Sequence, residues 1–250
     1  MRMRCAQVLV FTTISLVAVF GSALPTALYP FFPQEAALKG TSRGVVGLIY
    51  GLHALSQLFI CPVLSKMVTH VPAKVIFIAG IALTGICTIL FGLGGRISSQ
   101  TLFILVCIIT HSLSGIGAAA SDIMAVIFIN TTFPNITTML GILEVFCSVG
   151  VLLGPPLGGA LYERFQYEPP FLILGSLYLI LIPFSMLTLP NQGESQEVQP
   201  GGYKHFLQRK SVLVMSLQVC ISSVAMTFIR PIMPPFLTHQ VSQIHFNCYP

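Results

Sequence analysis

The sequence predicts an all-α protein that crosses a membrane several times. Hydrophobic residues make up 54% of the 250 residues and charged residues only 8%, and the mean hydropathy is +0.87. Soluble domains carry about 25% charged residues, so this composition excludes an ordinary globular fold. The apolar residues fall in long segments, and one helix needs about 20 residues to cross a bilayer. We therefore expect a bundle of membrane-spanning helices.

Seven apolar segments are long enough to span a membrane, and most connections between them are short. The expected spans are residues 7–29, 43–65, 73–94, 101–128, 138–161, 170–190 and 211–237. The first six are predicted to form a transmembrane bundle over residues 1–190. Residues 191–210 are predicted to be a polar cytoplasmic linker, 211–237 a seventh helix, and 238–250 a divergent polar tail.

The first span carries a stripe of polar side chains, which bears on whether it is a mature helix. Arg2 and Arg4 precede an apolar run with small residues at 21–23, a pattern also typical of a signal peptide. Against cleavage, polar residues recur at helical steps along the whole span: Thr12, Ser15, Ser22, Thr26 and Tyr29. A polar stripe in lipid faces a cavity or another helix, so a retained helix is favoured.

Lysine and arginine residues in the loops predict the orientation of the bundle. With the N-terminus in the cytoplasm, the cytoplasmic side carries Arg2, Arg4, Lys66, Lys74, Lys204, Arg209 and Lys210. The opposite side carries Lys39, Arg43, Arg96 and Arg164. Because cytoplasmic loops hold the excess of positive charge, the count favours a cytoplasmic N-terminus.

Under this topology the loop after the fourth span is cytoplasmic and is expected to carry no glycan. It contains two sequons, at Asn130 (Asn-Thr-Thr) and Asn135 (Asn-Ile-Thr), and such sites are modified only on the luminal side. Mass spectrometry of the chain from mammalian cells, with and without glycosidase, should show unmodified asparagine. A long sequon-bearing insertion between the third and fourth spans is the positive control. A glycan on either asparagine would invert the predicted topology.

Only two acidic residues lie inside the first six spans, Asp122 in the fourth and Glu144 in the fifth. A charged carboxylate at membrane depth costs several kcal/mol unless paired, so each is a functional candidate. Counting ~1.5 Å per residue from the expected helix ends, both lie roughly 9–10 Å inside the cytoplasmic face. The two spans are consecutive and antiparallel, so the acids can share a site where burial and like charge favour a protonated carboxyl. The alternative is a carboxylate that snorkels or bonds to a neighbour.

Histidines in two spans are further candidates. A polar, small-residue face runs along the fourth span through His111, Ser114, Ala118 and Asp122. Histidine titrates near physiological pH and could sense or relay protons, although a hydrogen-bonded core histidine is an equal alternative for His111. His53 and Gln57, one turn apart in the second span, are expected to hydrogen-bond across helices.

Other classes of function find no support in the sequence. Seven cysteines are scattered without metal-ligand spacing: Cys5, Cys61, Cys87, Cys107, Cys147, Cys220 and Cys248. We interpret them as small apolar side chains and expect neither a disulfide framework nor a metal site. The sequence has no catalytic triad order and no phosphate loop, so we expect no enzyme and no cofactor. No basic cluster is larger than the one at 208–210, so nucleic acid is not an expected partner.

The fifth span contains the most specific pattern in the sequence, a set of glycines and prolines spread over residues 141–159. Its fixed positions are Gly141, Gly150, Gly154, Pro155, Gly158 and Gly159. Gly150, Gly154 and Gly158 lie four residues apart on one helix face, where a neighbouring helix can approach closely. The pattern resembles the fifth-helix antiporter motif of drug- and amine-exchanging members of the major facilitator superfamily.

The resemblance extends over about residues 7–237 and is strongest to the vesicular amine transporter group, with the polyamine-transporting branch nearest. It rests also on YPFFPQEAALKG at 29–40, TFPN at 132–135 and LYERFQYEPPF at 161–171. The family has twelve spans in two six-helix halves, and each half is an inverted three-plus-three repeat. The resemblance therefore implies the N-terminal half of such a transporter plus a partial seventh helix. Equal spacing of spans one to three and four to six agrees with that repeat.

The function implied by the resemblance is proton-coupled antiport of organic cations, polyamines or monoamines, into acidic vesicles. Glu144, with Asp122 and His111, would attract the cation or carry the proton, and the glycines of the motif would permit helix rocking. The implied partners are protons, small cationic amines and the lipid bilayer. The implied location is a secretory or synaptic vesicle membrane.

Three positions depart from the family's usual pattern. Ser65 replaces an acid after the second span, His111 replaces an arginine, and Arg230 stands before a proline where relatives tend to carry an acid. Arg230 could pair with an acid or could belong to an altered end, since residues after 237 match nothing in the family. Because the resemblance covers only the first half plus one helix, a second hypothesis is a non-transporting truncated subunit that pairs with and modulates a full-length transporter. A seven-helix receptor fits the number of spans but not the Gly-Pro-rich fifth span.

Overall fold

The structure, a computed structural model, describes residues 5–191 and, beyond them, only positions 214, 217 and 221. The chain divides into two units, Met1–Gln196 and Glu197–Pro250, and every helix discussed below belongs to the first. The predicted linker after its first residue, most of the seventh span, the tail and Arg230 lie outside the described residues. The interpretations of these segments and of Arg230 therefore stay predictions.

Within residues 5–191 the fold is entirely helical, with no strand. The helices are α1 (Cys5–Ala27), α2 (Phe32–Leu38), α3 (Arg43–Met67), α4 (Ala73–Leu93), α5 (Gln100–Thr132), α6 (Ile136–Phe165) and α7 (Glu168–Thr188), and a 3-10 turn follows α4 at Gly94–Arg96. Six segments are long and apolar enough to cross a membrane, with α1 and α2 counted together. The predicted all-α membrane class is confirmed.

Glycine and proline set several of the helix ends. Pro33 and Pro169 lie in the first turns of α2 and α7, where the missing N–H group would have had no helical partner. Gly40 follows α2 with a φ of +77°, a left-handed conformation that glycine adopts without a steric penalty. These residues produce the short connections that hold consecutive spans antiparallel.

The structure differs from the predicted spans at several helix ends, and α6 runs to Phe165 where the predicted span ended at 161. Helix α5 continues to Thr132 and α6 begins at Ile136, whereas the predicted spans ended at 128 and began at 138. Only residues 133–135 connect them, because Pro134 in that turn cannot continue the helix. The segment after the first span also contains the short helix α2, which the hydropathy pattern did not indicate.

The two triplets of spans, α1–α3–α4 and α5–α6–α7, interlock. Helix α1 packs mainly on α6, the middle span of the second triplet, and α5 packs on α3, the middle span of the first. Helix α4 packs between α5 and α7. This exchange of partners is the arrangement expected of an inverted three-plus-three repeat. It places α1 against α6, which carries Glu144 and the glycine motif, and it places α5, which carries Asp122 and His111, against α3.

Candidate functional site

The structure brings the two intramembrane acids together. Asp122 of α5 and Glu144 of α6 lie close enough to interact electrostatically. Asp122 stands ten residues before the end of α5 and Glu144 eight residues after the start of α6. At ~1.5 Å per residue the acids lie about 12–15 Å from the connecting turn. They are deeper than the sequence predicted, because both helices extend further towards that turn.

The acid pair has no basic partner within the described residues. All six described lysines and arginines lie at helix ends or in loops: Lys39, Arg43, Lys66, Lys74, Arg96 and Arg164. The one ion pair within 4 Å in residues 5–191 joins Arg96 to Glu168, at the opposite end of the bundle. Both acid side chains are exposed on the surface of the described helices. Two neighbouring carboxyl groups at membrane depth that lack a basic partner favour the binding of a cation or a proton.

Three further residues surround the acids. The thiol of Cys147, one turn after Glu144, interacts with both carboxyls and lies beside the hydroxyl of Ser22 on α1. Tyr178 of α7 lies beside Ser121 and near Asp122. The sequence indicated Ser22 through the polar stripe of α1, but Cys147 was interpreted as an apolar side chain and Tyr178 was missed. Four helices therefore contribute to this site.

The glycine face of α6 packs directly on α1. A β-carbon at Gly150 or Gly158 would overlap the backbone carbonyl oxygens of Val19 and Ala27, respectively. A β-carbon at Gly154 would overlap the Thr26 hydroxyl and lie 2.7 Å from the carbonyl oxygen of Ala23. The helices touch backbone to backbone along this face, as the four-residue spacing predicted.

The remaining positions of the motif do not share that contact. Positions 141 and 159 have no heavy atom within 4 Å of where a β-carbon would stand. Pro155 and Pro156 lie inside α6 next to the packed face, where each removes one backbone N–H from the helix. The motif thus combines a close contact between two helices with missing backbone hydrogen bonds in α6 and with two glycines that have open space beside them.

The structure does not bring His111 to the acids. His111 lies eleven residues before Asp122 on the same helix, ~16 Å along the axis. Its side chain is buried, its carbonyl oxygen accepts a hydrogen bond from His53 Nδ1 at 3.0 Å, and the two rings stack with centroids 4.5 Å apart. His53 therefore bonds across helices as expected, whereas Gln57 shows no hydrogen bond within the described residues.

A small cavity adjoins His111. It measures about 10 Å³, which is close to the space that one water molecule requires. Its polar lining comes from Thr88, Thr110, His111 and Ser114, and its apolar lining includes Phe91 and Phe171. The surroundings of His111 match the core-histidine alternative better than membership of the acid site.

The end of the bundle opposite the α5–α6 turn is closed by α2. Lys39 Nζ donates hydrogen bonds to the carbonyl oxygens of Gly95 and Ile97, both at 2.7 Å, and lies 4.9 Å above the Phe103 ring. Tyr162 donates to Glu35 Oε1 at 2.6 Å. Burial raises the pKa of Tyr167, in the connection between α6 and α7, well above its usual range. This aromatic end is well anchored.

Replacing Lys39 with methionine is expected to lower the free energy of unfolding by about 2 kcal/mol, because two carbonyl groups lose a charged donor. The measurement is thermal unfolding of the purified chain in detergent. Lys66→Met is the matched control, since Lys66 is exposed and is expected to change stability very little. Equal effects of the two substitutions would show that the Lys39 contacts do not anchor α2.

The described cysteines Cys5, Cys61, Cys87, Cys107 and Cys147 are all free thiols. Within the described residues no three histidine, cysteine, aspartate or glutamate side chains are grouped so that they could hold a metal ion. The site consequently offers carboxyl, thiol and hydroxyl groups but no set of metal ligands.

Comparison with known proteins identifies relatives of this bundle. The family model described as Major Facilitator Superfamily matches residues 9–247. The expectation that residues after 237 match nothing in the family is therefore wrong for most of that segment. The MFS-type transporter SLC18B1 of Mus musculus is 41% identical over 175 residues, which cover 70% of this chain and 38% of that transporter. The synaptic vesicular amine transporter of Mus musculus is 27% identical over 215 residues, covering 84% of this chain and 40% of the relative.

A solved structure shows the same fold. It is a bacterial homologue of the human lysosomal transporter Spinster, in an inward-facing and unoccupied conformation, with a TM-score of 0.66 and 16% identity over 82% of this chain and 49% of that one. The chain thus spans less than half the length of the curated relatives and of this structure.

Proposed function

The chain belongs to the Major Facilitator Superfamily, and we propose that it forms the half of a proton-coupled antiporter that holds the proton- and cation-binding carboxyls. The proposed substrates are organic cations, polyamines or monoamines, which enter an acidic vesicle as protons leave. The homologues are transporters rather than enzymes, so the site is expected to bind and release its ligands without covalent chemistry.

The observation that carries the proposal is the exposed, unpaired acid pair. Asp122 and Glu144 interact with each other, and none of the lysines and arginines in residues 5–191 lies near them. With both carboxyls charged, their repulsion is relieved by a bound ammonium group. With one proton bound, the pair has less attraction for an amine. Proton and amine would therefore compete for one site, which is the thermodynamic requirement of an exchanger.

The packing of α1 on α6 would allow the two helices to tilt against each other. Small residues let the two backbones touch without interlocking side chains, so the helices could tilt against each other at little cost in packing. Pro155 and Pro156, inside α6, reduce the stiffness of that helix. In our proposal this contact lets the acid pair face one side of the membrane and then the other.

The substrate class and location come from the relatives. One relative is a synaptic vesicular amine transporter, and the other, SLC18B1, is an MFS-type transporter. An amine is a cation at neutral pH, and the negative charge of the acid pair is complementary to it. We extend this to a vesicle membrane as the location and to polyamines, with several ammonium groups, as the favoured amines.

The uncovered faces of the bundle support a second candidate. Helices α3 and α6 are the least buried of the six spans, and Glu144 lies on one of them. A second six-helix unit would cover these faces and enclose the acids. If a full-length transporter supplied that unit, the chain would act as a modulating subunit without transport activity of its own.

Uptake of radiolabelled spermine and monoamines into proteoliposomes with an acidic interior tests the proposal. Two proteins are compared: the 250-residue chain, and a twelve-helix chimera in which residues 1–210 precede the second half of mouse SLC18B1. Uptake by the chimera that collapses when the pH gradient is dissipated is the expected result. Uptake by the chain alone would rule out the non-transporting candidate. No gradient-dependent uptake of any amine by a folded chimera would overturn the antiporter.

A further inference from the structure

Tyr178 of α7 has the largest side chain that is fully buried within the described residues, and its position is unexplained by packing alone. Its exposed fraction is 0%, yet its hydroxyl has no hydrogen-bond partner. A buried hydroxyl without a partner is destabilising, whereas phenylalanine would fill the same volume without that penalty. A hydrogen-bond partner in another state of the site would remove that destabilisation.

The surroundings of the hydroxyl point to Asp122 as that partner. The hydroxyl lies beside Ser121, outside ordinary hydrogen-bond geometry, and near the Asp122 carboxyl. Ser121 already donates to the carbonyl oxygen of Ala118 at 2.9 Å. On the α1 side stands Gly21, where a β-carbon would lie only 3.2 Å from the Tyr178 oxygen. The absence of a side chain on Gly21 leaves the hydroxyl room to turn.

The other groups around Asp122 are weaker candidates for this donor, since a thiol is a poor hydrogen-bond donor. From α6 come Glu144 and Cys147, and an ionised Glu144 only accepts hydrogen bonds. From α1 comes Ser22, which lies beside the Cys147 thiol. The one charged residue of α4, Lys74, lies in its first turn and donates to the carbonyl oxygen of Leu189 at 2.8 Å.

We propose that Tyr178 is a positioning residue for Asp122. When Asp122 gives up its proton to water, the phenol O–H turns and donates a hydrogen bond to the carboxylate. When the proton returns, the phenol is released. Tyr178 keeps its own proton throughout, so only the Asp122 proton is exchanged. This inference rests on the proposed function, in which the acid pair takes up and releases protons.

The test measures protonation directly and needs no transport. The purified full-length chain in lipid is titrated while infrared difference spectra follow the C=O band of protonated carboxyl groups. The part of this band that disappears in Asp122→Asn is assigned to Asp122. Without the phenol donor the ionised carboxylate is less stable. Tyr178→Phe is therefore expected to raise the midpoint of the Asp122 band by about one pH unit.

Matched variants make the result decisive. Tyr167→Phe removes another buried hydroxyl that has no partner, at the far end of the bundle, and is expected to leave the midpoint unchanged. Gly21→Ala places a methyl group against the Tyr178 hydroxyl and is expected to shift the midpoint in the same direction, which keeps the test available if Tyr178→Phe does not fold. An unshifted midpoint in a folded Tyr178→Phe protein, or an equal shift in Tyr167→Phe, overturns the inference. Loss of transport in the chimera would overturn the antiporter and leave this titration unaffected.

Discussion

Glu144→Gln in the twelve-helix chimera is expected to reduce gradient-driven amine uptake about a hundredfold. Glutamine has nearly the same shape as glutamate, so the change removes charge and the ability to bind a proton with little effect on packing. A carboxylate–ammonium contact near 4 Å at an effective dielectric constant of 20 is worth about 4 kcal/mol, and losing most of it accounts for two orders of magnitude. The measurement is the initial rate of radiolabelled amine uptake under an imposed pH gradient.

The control for this variant lies on the same helix. Glu163 is an exposed acid near the other end of α6, and Glu163→Gln is expected to leave uptake within about twofold of the parent, since surface substitutions have small effects. Asp122→Asn should resemble Glu144→Gln if the two acids act as one site. Unchanged proton-coupled uptake in a folded Glu144→Gln chimera would show that our assignment of Glu144 is wrong.

Gly154→Leu is expected to destabilise the chain by about 3 kcal/mol, as overpacking of a tight contact does, and to abolish exchange in the chimera. The β-carbon alone would overlap the Thr26 hydroxyl and lie 2.7 Å from the Ala23 carbonyl oxygen, so α1 and α6 would have to separate. Leucine favours helix formation over glycine by up to about 1 kcal/mol. Any loss of stability is therefore caused by the steric overlap and not by helix propensity.

Gly159→Leu is the matched control for the packed face. It puts the same side chain on the same helix where no heavy atom lies within 4 Å, so thermal unfolding of the chain should change little or improve. Substitutions at Gly150 and Gly158 should behave like Gly154→Leu. If leucine at all three packed positions left stability and exchange intact, the movement of α1 against α6 would lose its structural basis.

Sequence periodicity predicted much of the fold because its causes are local. Hydrophobic length located the six described spans, and the spacing of Gly150, Gly154 and Gly158 predicted a face for close packing. The meeting of Asp122 and Glu144 followed from two consecutive antiparallel helices with acids at similar depth. Each of these inferences uses residues within one helix or across one turn.

The remaining features depend on contacts between distant parts of the chain. Tyr178 lies near Asp122 but on a helix two spans further along, and no pattern in α7 marks it. Lys39 bonds to backbone carbonyl groups, which carry no sequence signature. The polar face of α5 grouped His111 with Asp122, but His111 contacts His53 of α3 whereas Asp122 lies near Glu144 of α6. Periodicity fixes an angle around a helix and says nothing about which neighbour stands at each level.

The interlocked triplets have a consequence for biosynthesis. Helix α1 enters the bilayer early, but its glycine-lined partner begins only at Ile136, so more than half of the bundle is translated before that contact can form. The six helices are therefore expected to assemble cooperatively and late, and in a chain stalled before α6 the first helix should remain accessible to a cross-linker that acts within the membrane.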